Sequence, residues 1–167
     1  MSQHGRAPIV GLDPDARPGA SEERWESFCS YCGHSPEPGF ETRVCESCGL
    51  GLVLRAPSDL APTEGVAFVV VDASLTVGAV SDVAERFLEV AEATSVHRPV
   101  TELMEAADSE GAGTDLATAI MWAARGDRTH RELYVRPANT FGVRCRASIG
   151  PCGPPSAALV VLEDHAS

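Results

Sequence analysis

Four of the six cysteines fall in one short stretch, as Cys29-Ser30-Tyr31-Cys32-Gly33 and Cys45-Glu46-Ser47-Cys48-Gly49. Two thiolates three positions apart on a tight turn can grip one metal ion at about 2.3 Å. The glycine after each second cysteine accepts a left-handed backbone, so nearby amides can point at the sulfurs. Twelve residues separate the two pairs, and two such turns brought together complete a tetrahedral site of four sulfurs. A donor set with no open position holds a structural ion and does no catalysis; one Zn2+ on Cys29, Cys32, Cys45 and Cys48 is the expectation. Two disulfides or an iron site are the competing chemistries. Disulfides call for an oxidising compartment, and residues 1–19 have no apolar signal-peptide core. His34, two residues past Cys32, reads as a solvated loop residue, since four thiolates already complete the site. About 34 residues cannot fold on an apolar core alone, so metal binding would supply the missing free energy.

The elements that must carry this site follow from composition. Residues 1–21 hold Pro8, Pro14 and Pro18 with almost no apolar pattern and read as a disordered leader. Residues 22–55 are the cysteine segment, with a turn at Ser35–Phe40, a short strand at Thr42–Val44 and another at Gly49–Leu52. Residues 56–64, with two prolines and little to bury, read as a linker. Beyond it the pattern is strand, strand, three helices, then three strands. Ala67–Val71 and Leu75–Val80 form a hairpin. Ser81-Asp82 starts a helix whose face carries Val83, Phe87, Leu88 and Ala91, with Asp82 and Glu85 as a loose capping box. Pro99 opens a short helix carrying Leu103, Met104 and Ala107, broken at Glu110–Gly113. A third helix starts at Thr114 or Asp115, carries Leu116, Ile120 and Ala123, and stops at Gly126. Strands follow at Thr129–Arg136, Thr140–Ile149 and Ala157–Asp164. In the second of these, Phe141, Val143, Cys145, Ala147 and Ile149 share one face. Gly150–Pro155 reads as a hairpin loop that leaves Cys152 an exposed free thiol. Helices grouped between two sets of strands imply an α+β fold, an antiparallel sheet with helices over one face.

Charge narrows the partners. The chain has 167 residues, 13 basic and 24 acidic side chains, and a net charge of −11. Every basic residue is Arg. Such a chain repels nucleic acid and anionic membrane unless its arginines cluster. Residues 22–55 have three Arg against six Glu, and four thiolates on Zn2+ add roughly −2 more. Nucleic acid is therefore an unlikely partner and protein the expected one. Arg125, Arg128, Arg131 and Arg136 form a local positive cluster, read either as a solvated patch beside acidic neighbours or as an anion site. No apolar run approaches the roughly 20 residues of a membrane helix, so a cytoplasmic protein is expected. No phosphate-cradling glycine loop or nucleophile–base pair stands out, which argues against an enzyme.

Residues 22–55 resemble a zinc ribbon, the family of small rubredoxin-like knuckle pairs; rubredoxins usually separate their knuckles by more residues, which weighs against iron. Residues 65–165 resemble a PAS domain. The residues that carry this second resemblance are Ala67-Phe-Val-Val-Val-Asp72, Leu75-Thr-Val77, Val83-Ala-Glu-Arg-Phe-Leu88 and Arg98-Pro-Val-Thr-Glu-Leu103. It implies a five-stranded antiparallel sheet cupping a small cavity, used in sensing and protein association. One departure is Ser81, where many PAS domains carry Asn. Neither haem nor flavin is expected. Residues 115–125 contain no His to ligate haem, His97 and His130 read as surface or capping residues, and Cys145 lies on a strand outside any flavin-reactive motif. Phe87, Met104, Leu116, Ile120, Val143 and Cys145 fall on inward faces of these elements and are expected to line an apolar pocket for a small ligand. Met104 and Trp122 also read as ordinary core residues.

These readings converge on a non-enzymatic signalling or regulatory protein whose PAS-like domain senses a small ligand or dimerises and whose ribbon docks a protein. The alternatives are a transcription-associated regulator, with the ribbon on nucleic acid or polymerase, and a redox-active metal protein. The first and last strands of the PAS-like segment are apolar on both faces: Phe68 and Val70 alternate with Val69 and Val71, and Leu159 and Val161 with Val160 and Leu162. One set serves the core beneath the helices. The other needs a cover, either the ribbon folding back or a second chain, and a homodimer through the outer sheet face is the favoured expectation.

Overall fold

The computed structural model describes residues 24–39, 42–107, 115–140 and 142–164. The expected leader, the helix break at 110–113 and Phe141 lie outside them. Strands β1 (Trp25–Cys29) and β2 (Val53–Pro57) pair antiparallel, with Cys29 opposite Val53, and their long connection carries both cysteine turns. Of the expected strand at Thr42–Val44, a single bridge from Val44 to Leu52 forms.

The remaining strands are β3 (Ala67–Val71), β4 (Val77–Val80), β5 (Met104–Ala106), β6 (Arg131–Pro137), β7 (Cys145–Cys152) and β8 (Ala157–Asp164). They form one sheet in the order β4-β3-β8-β7-β6-β5, antiparallel throughout. Helices α1 (Asp82–Leu88), α2 (Glu92–Ser95) and α3 (Leu116–Ala124) lie between β4 and β6 in the chain. This is a mixed α/β architecture consistent with a PAS-like fold, but the sheet has six strands, not five. The sixth is β5. Met104-Glu-Ala was expected as helix, and these residues favour helix on propensity alone. After Pro99 only one 3-10 turn forms, Val100–Glu102. Met104–Ala106 then extends along the open edge of β6, with Glu105 opposite Arg136. Pairing with an exposed strand edge outweighs a propensity of a few tenths of a kcal/mol.

α1 is shorter than its apolar pattern suggested. It ends at Glu89, which takes a left-handed conformation (φ 54°), and the chain restarts in α2, which the pattern did not reveal. α3 follows expectation more closely. Leu116, Ala119, Ile120 and Ala123 form its buried face, and Gly126 beyond its end has φ 91°.

The sheet is buried on both sides. On the inner face Val69, Val71, Ala147, Ile149, Val160 and Leu162 pack against Ala84 and Leu88 of α1 and Leu116, Ile120 and Ala123 of α3. On the outer face Phe68, Val70, Leu159, Val161 and Cys152 pack against Phe28 of β1, Leu54 and Ala56 of β2, and Leu60. The cover for the apolar outer strip is thus the chain's own hairpin. Segment 56–64, expected as a linker between separate cores, takes part. Leu60 lies so close to β7 that a Cβ on Gly150 would sit 2.7 Å from its Cδ2. Arg55 and Gly153 exchange two backbone hydrogen bonds, of 2.6 and 3.0 Å, tying β2 to the end of β7. Phe28 meets Phe68 edge to face at 5.6 Å between ring centroids.

Cys152 departs from its expected place. β7 runs through Gly150-Pro151 to Cys152, so the thiol is buried in the outer core rather than exposed in a loop. Burial pushes its pKa up to about 12. The strand also starts late, at Cys145, and the alternation proposed from residue 141 holds only from there.

Candidate metal centre

Each cysteine turn is built the same way. Gly33 donates to the Cys29 carbonyl at 3.1 Å, and Gly49 to the Cys45 carbonyl at 2.9 Å. Both glycines are left-handed, with φ 73° and 67°, which costs a Cβ-bearing residue roughly 1–2 kcal/mol. Cys45 N–H closes the second turn on the Gly51 carbonyl (2.8 Å), and Ser30 N–H ties the first turn to the second by donating to the Leu52 carbonyl (2.8 Å). Leu52 N–H closes the set by donating to Ser30 Oγ at 2.9 Å. Gly51 sits where the turns meet: a Cβ there would lie 2.3 Å from Cys29 Sγ and 2.8 Å from Tyr31 N.

The four Sγ atoms of Cys29, Cys32, Cys45 and Cys48 lie within 4.8 Å of one another. Cys29 and Cys48 are 3.6 Å apart, Cys32 and Cys45 3.8 Å. A regular tetrahedron with metal–sulfur bonds of about 2.3 Å has edges of about 3.8 Å, so the donors stand where one ion would hold them. Two amides aim at sulfur: Tyr31 N–H at Cys29 Sγ (3.4 Å) and Gly51 N–H at Cys48 Sγ (3.5 Å). Burial, the largest influence, pushes Cys29 and Cys32 above the ordinary thiol value. At Cys48 burial is outweighed by the Gly51 and Leu50 amides and the neighbouring thiols, and its pKa falls to about 6. A divalent cation supplies the charge that lets all four ionise. The cluster can therefore bind a metal ion.

Tyr31 links this centre to the helices. Its carbonyl accepts from Asp82 N–H at the start of α1 (2.9 Å), and its hydroxyl donates to Glu85 Oε2 (3.0 Å). That hydrogen bond, then burial, holds the phenol protonated by raising its pKa. Nothing in the Cys29–Cys32 spacing announces this role, because the partner lies 54 residues away. Ser81, fully buried, is the N-cap: its Oγ accepts from Ala84 N–H (3.1 Å) and from Phe68 N–H (3.0 Å). The cap thereby falls on Ser81 with Ala84 three residues on, so the capping box expected at Asp82 and Glu85 does not form, and the Glu85 carboxylate serves Tyr31 and Glu92 N–H instead.

The other candidate site residues divide. Met104, Leu116, Ile120 and Cys145 are buried in the inner core, and Phe87 is half-buried against it. Val143 is 37% exposed, before the start of β7, and does not join them. Trp122 is 44% exposed, with the Arg131 guanidinium 4.6 Å from its ring centroid. His34 bonds to Glu64 (2.8 Å) rather than to the sulfur cluster, and His130 faces Asp59 at 3.5 Å. In the arginine cluster, Arg131 pairs with Asp127 (2.8 Å), Arg136 with Glu105 (3.0 Å), and Arg128 lies 6.0 Å from the Trp25 ring centroid. Two of its four guanidinium groups are thus paired with carboxylates. Among the described residues no helix is long and apolar enough to cross a membrane.

No protein-family model matches the chain, and no curated protein is significantly similar to it. Among solved structures it is similar to the PAS domain of nitrogen regulation protein NR(II) from Vibrio parahaemolyticus. The TM-score is 0.41 and the identity 14%, over 59% of this chain and 88% of that one.

Proposed function

We propose that the chain is a non-enzymatic, cytoplasmic signalling or regulatory protein. In this reading one structural Zn2+ on Cys29, Cys32, Cys45 and Cys48 makes a zinc ribbon that docks a protein partner, and the PAS-like domain is the sensing or associating unit. One observation carries the docking role. The second knuckle turns three large apolar side chains to solvent: Val44 (48% exposed), Leu50 (70%) and Leu52 (51%). Exposed aliphatic groups on a metal-braced turn suit a protein surface and offer nothing to phosphates. Four sulfur donors leave no open position, which speaks against catalysis at the metal. The buried set Met104, Leu116, Ile120 and Cys145, with Phe87 beside it, is where a small ligand would enter the PAS-like domain. A homodimer through the outer sheet face would have to displace the hairpin.

Native mass spectrometry of the full chain tests the metal, with one Zn2+ expected; iron would return the redox reading. A photo-crosslinker at position 50 tests the docking role in cells. Adducts to a discrete protein, lost in Leu52→Asp with zinc still bound, are expected. Adducts to nucleic acid would favour the transcription-associated reading.

A further inference from the structure

We infer that the cysteine centre acts as a relay, with its metal-loading state transmitted through Tyr31 to helices α1 and α2 and to the cleft beyond them. The inference rests on the reading above in one respect, that the four cysteines bind Zn2+.

Three groups of one residue make the connection. Tyr31 lies between two ligand cysteines, so its backbone goes wherever the first knuckle goes. Its N–H points at Cys29 Sγ (3.4 Å), its carbonyl holds the first amide of α1 at Asp82 (2.9 Å), and its hydroxyl holds Glu85 Oε2 (3.0 Å). The other oxygen of the same carboxylate, Glu85 Oε1, accepts from Glu92 N–H at 2.6 Å and so fixes the start of α2. Glu92 continues the line, its Oε1 accepting from Val80 N–H in β4 at 3.3 Å. The chain of contacts is unbroken from sulfur to the sheet edge.

α1 is also capped by Ser81 and packed through Ala84 and Leu88, so α2 is the element that depends most on this line. α1 has seven residues and α2 four, far below the length at which helices persist alone. The N-cap of α2 is Ala91, which has no side-chain cap hydrogen bond. Glu85 substitutes for that cap, and Tyr31 orients Glu85. Immediately beyond α1, Glu89, Val90, Thr94, Ser95, Arg98 and Glu102 line a cleft of about 570 Å³. Loss of metal frees the first knuckle, withdraws Tyr31 and loosens this wall. α3 lies elsewhere on the inner face and shares none of these bonds.

Hydrogen–deuterium exchange on the full chain, with Zn2+ bound and after its removal by a chelator, tests the relay; metal content is measured on both samples. Removal is expected to speed exchange at Asp82, Glu92 and their neighbours by roughly tenfold, the scale of one or two hydrogen bonds, and to leave α3 nearly unchanged. Tyr31→Phe keeps both backbone contacts and all four sulfurs. It is expected to bind one Zn2+ yet to show, with the metal still bound, most of the acceleration at Glu92. Glu85→Gln, whose one carbonyl oxygen can accept from Glu92 N–H while its amide donates to the Tyr31 hydroxyl, is expected to stay close to wild type. Stoichiometric Zn2+ with exchange in α1 and α2 indifferent to its removal overturns the relay alone, as does a Tyr31→Phe protein indistinguishable from wild type. A chain that binds no Zn2+ overturns the relay together with the reading beneath it.

Discussion

The two faces of the sheet are covered in different ways. The inner face is closed by α1 and α3, which lie in the chain between the strands of the sheet they cover. The outer face is closed by a hairpin of two five-residue strands whose connection is organised around four sulfurs. A two-stranded hairpin is marginal in water by itself. The first cover is held by its own apolar stripe; the second, on the proposal above, is held by a metal ion as well. Inner and outer cores share the strands β3, β7 and β8 but depend on different chemistry, and substitutions should separate them.

Cys32→Ser should act most strongly. Structural zinc contributes about 10–16 kcal/mol at pH 7 in zinc-finger peptides, more than any one side chain. The expected result is loss of ordered β1 and β2 by NMR, with α3 retained and the outer face sticky to hydrophobic dye. Equal loss of both faces would show one cooperative core. Phe28→Ala comes next. Phe28 is fully buried against Phe68, and truncation should cost about 3–5 kcal/mol, a fall in Tm on the order of 10 °C. The zinc stoichiometry should be unaltered, since the sulfurs keep their turns.

Ser81→Ala probes the inner side. Loss of the α1 cap should cost roughly 0.5–2 kcal/mol, read by denaturant titration. The upper end is expected, because the same hydroxyl also serves the buried Phe68 amide. The smallest effect belongs to Asp127→Ala, on the surface. The Thr129 amide first, then the Arg131 guanidinium, hold the Asp127 carboxyl down at about 2, from an ordinary 3.8. Its contribution is therefore present above about pH 4 and is lost as pH falls towards 2. Wild type and variant should melt apart at neutral pH and converge near pH 2.

The difference between the faces also governs what could be read from the sequence. Cys29, Cys32, Cys45 and Cys48 were legible because ligand spacing is local. The strips on β3 and β8 were legible because period-two alternation of apolar residues is local too. What covers the outer strip was not, since Phe28 and Leu54 look unremarkable until the hairpin is folded against Phe68 and Leu159. Segment 56–64 read as linker because its prolines dominate the pattern, while Leu60 alone supplies the packing. Met104–Ala106 read as helix because the open edge of β6 is invisible in sequence. Cys152 read as exposed because Gly150-Pro151 imitates a turn; in the fold, the glycine makes room for Leu60. Val143 was included by extending an alternation past the true start of β7. Tyr31 carries no signal in the sequence because its partners, Asp82 and Glu85, lie more than fifty residues away.

The two cysteines outside the cluster provide the most direct test of the metal-held cover, one on each face. Cys145 lies in the inner core and Cys152 in the outer, both buried. Full-chain protein is treated with a chelator until the zinc is gone, pulsed with a thiol reagent, and mapped by peptide mass spectrometry. Cys152 should go from protected to labelled as zinc leaves, while Cys145 stays protected. Cys152 remaining protected after complete metal loss, or both cysteines becoming reactive together, would contradict the claim that a metal centre holds the hairpin over the outer face of the sheet.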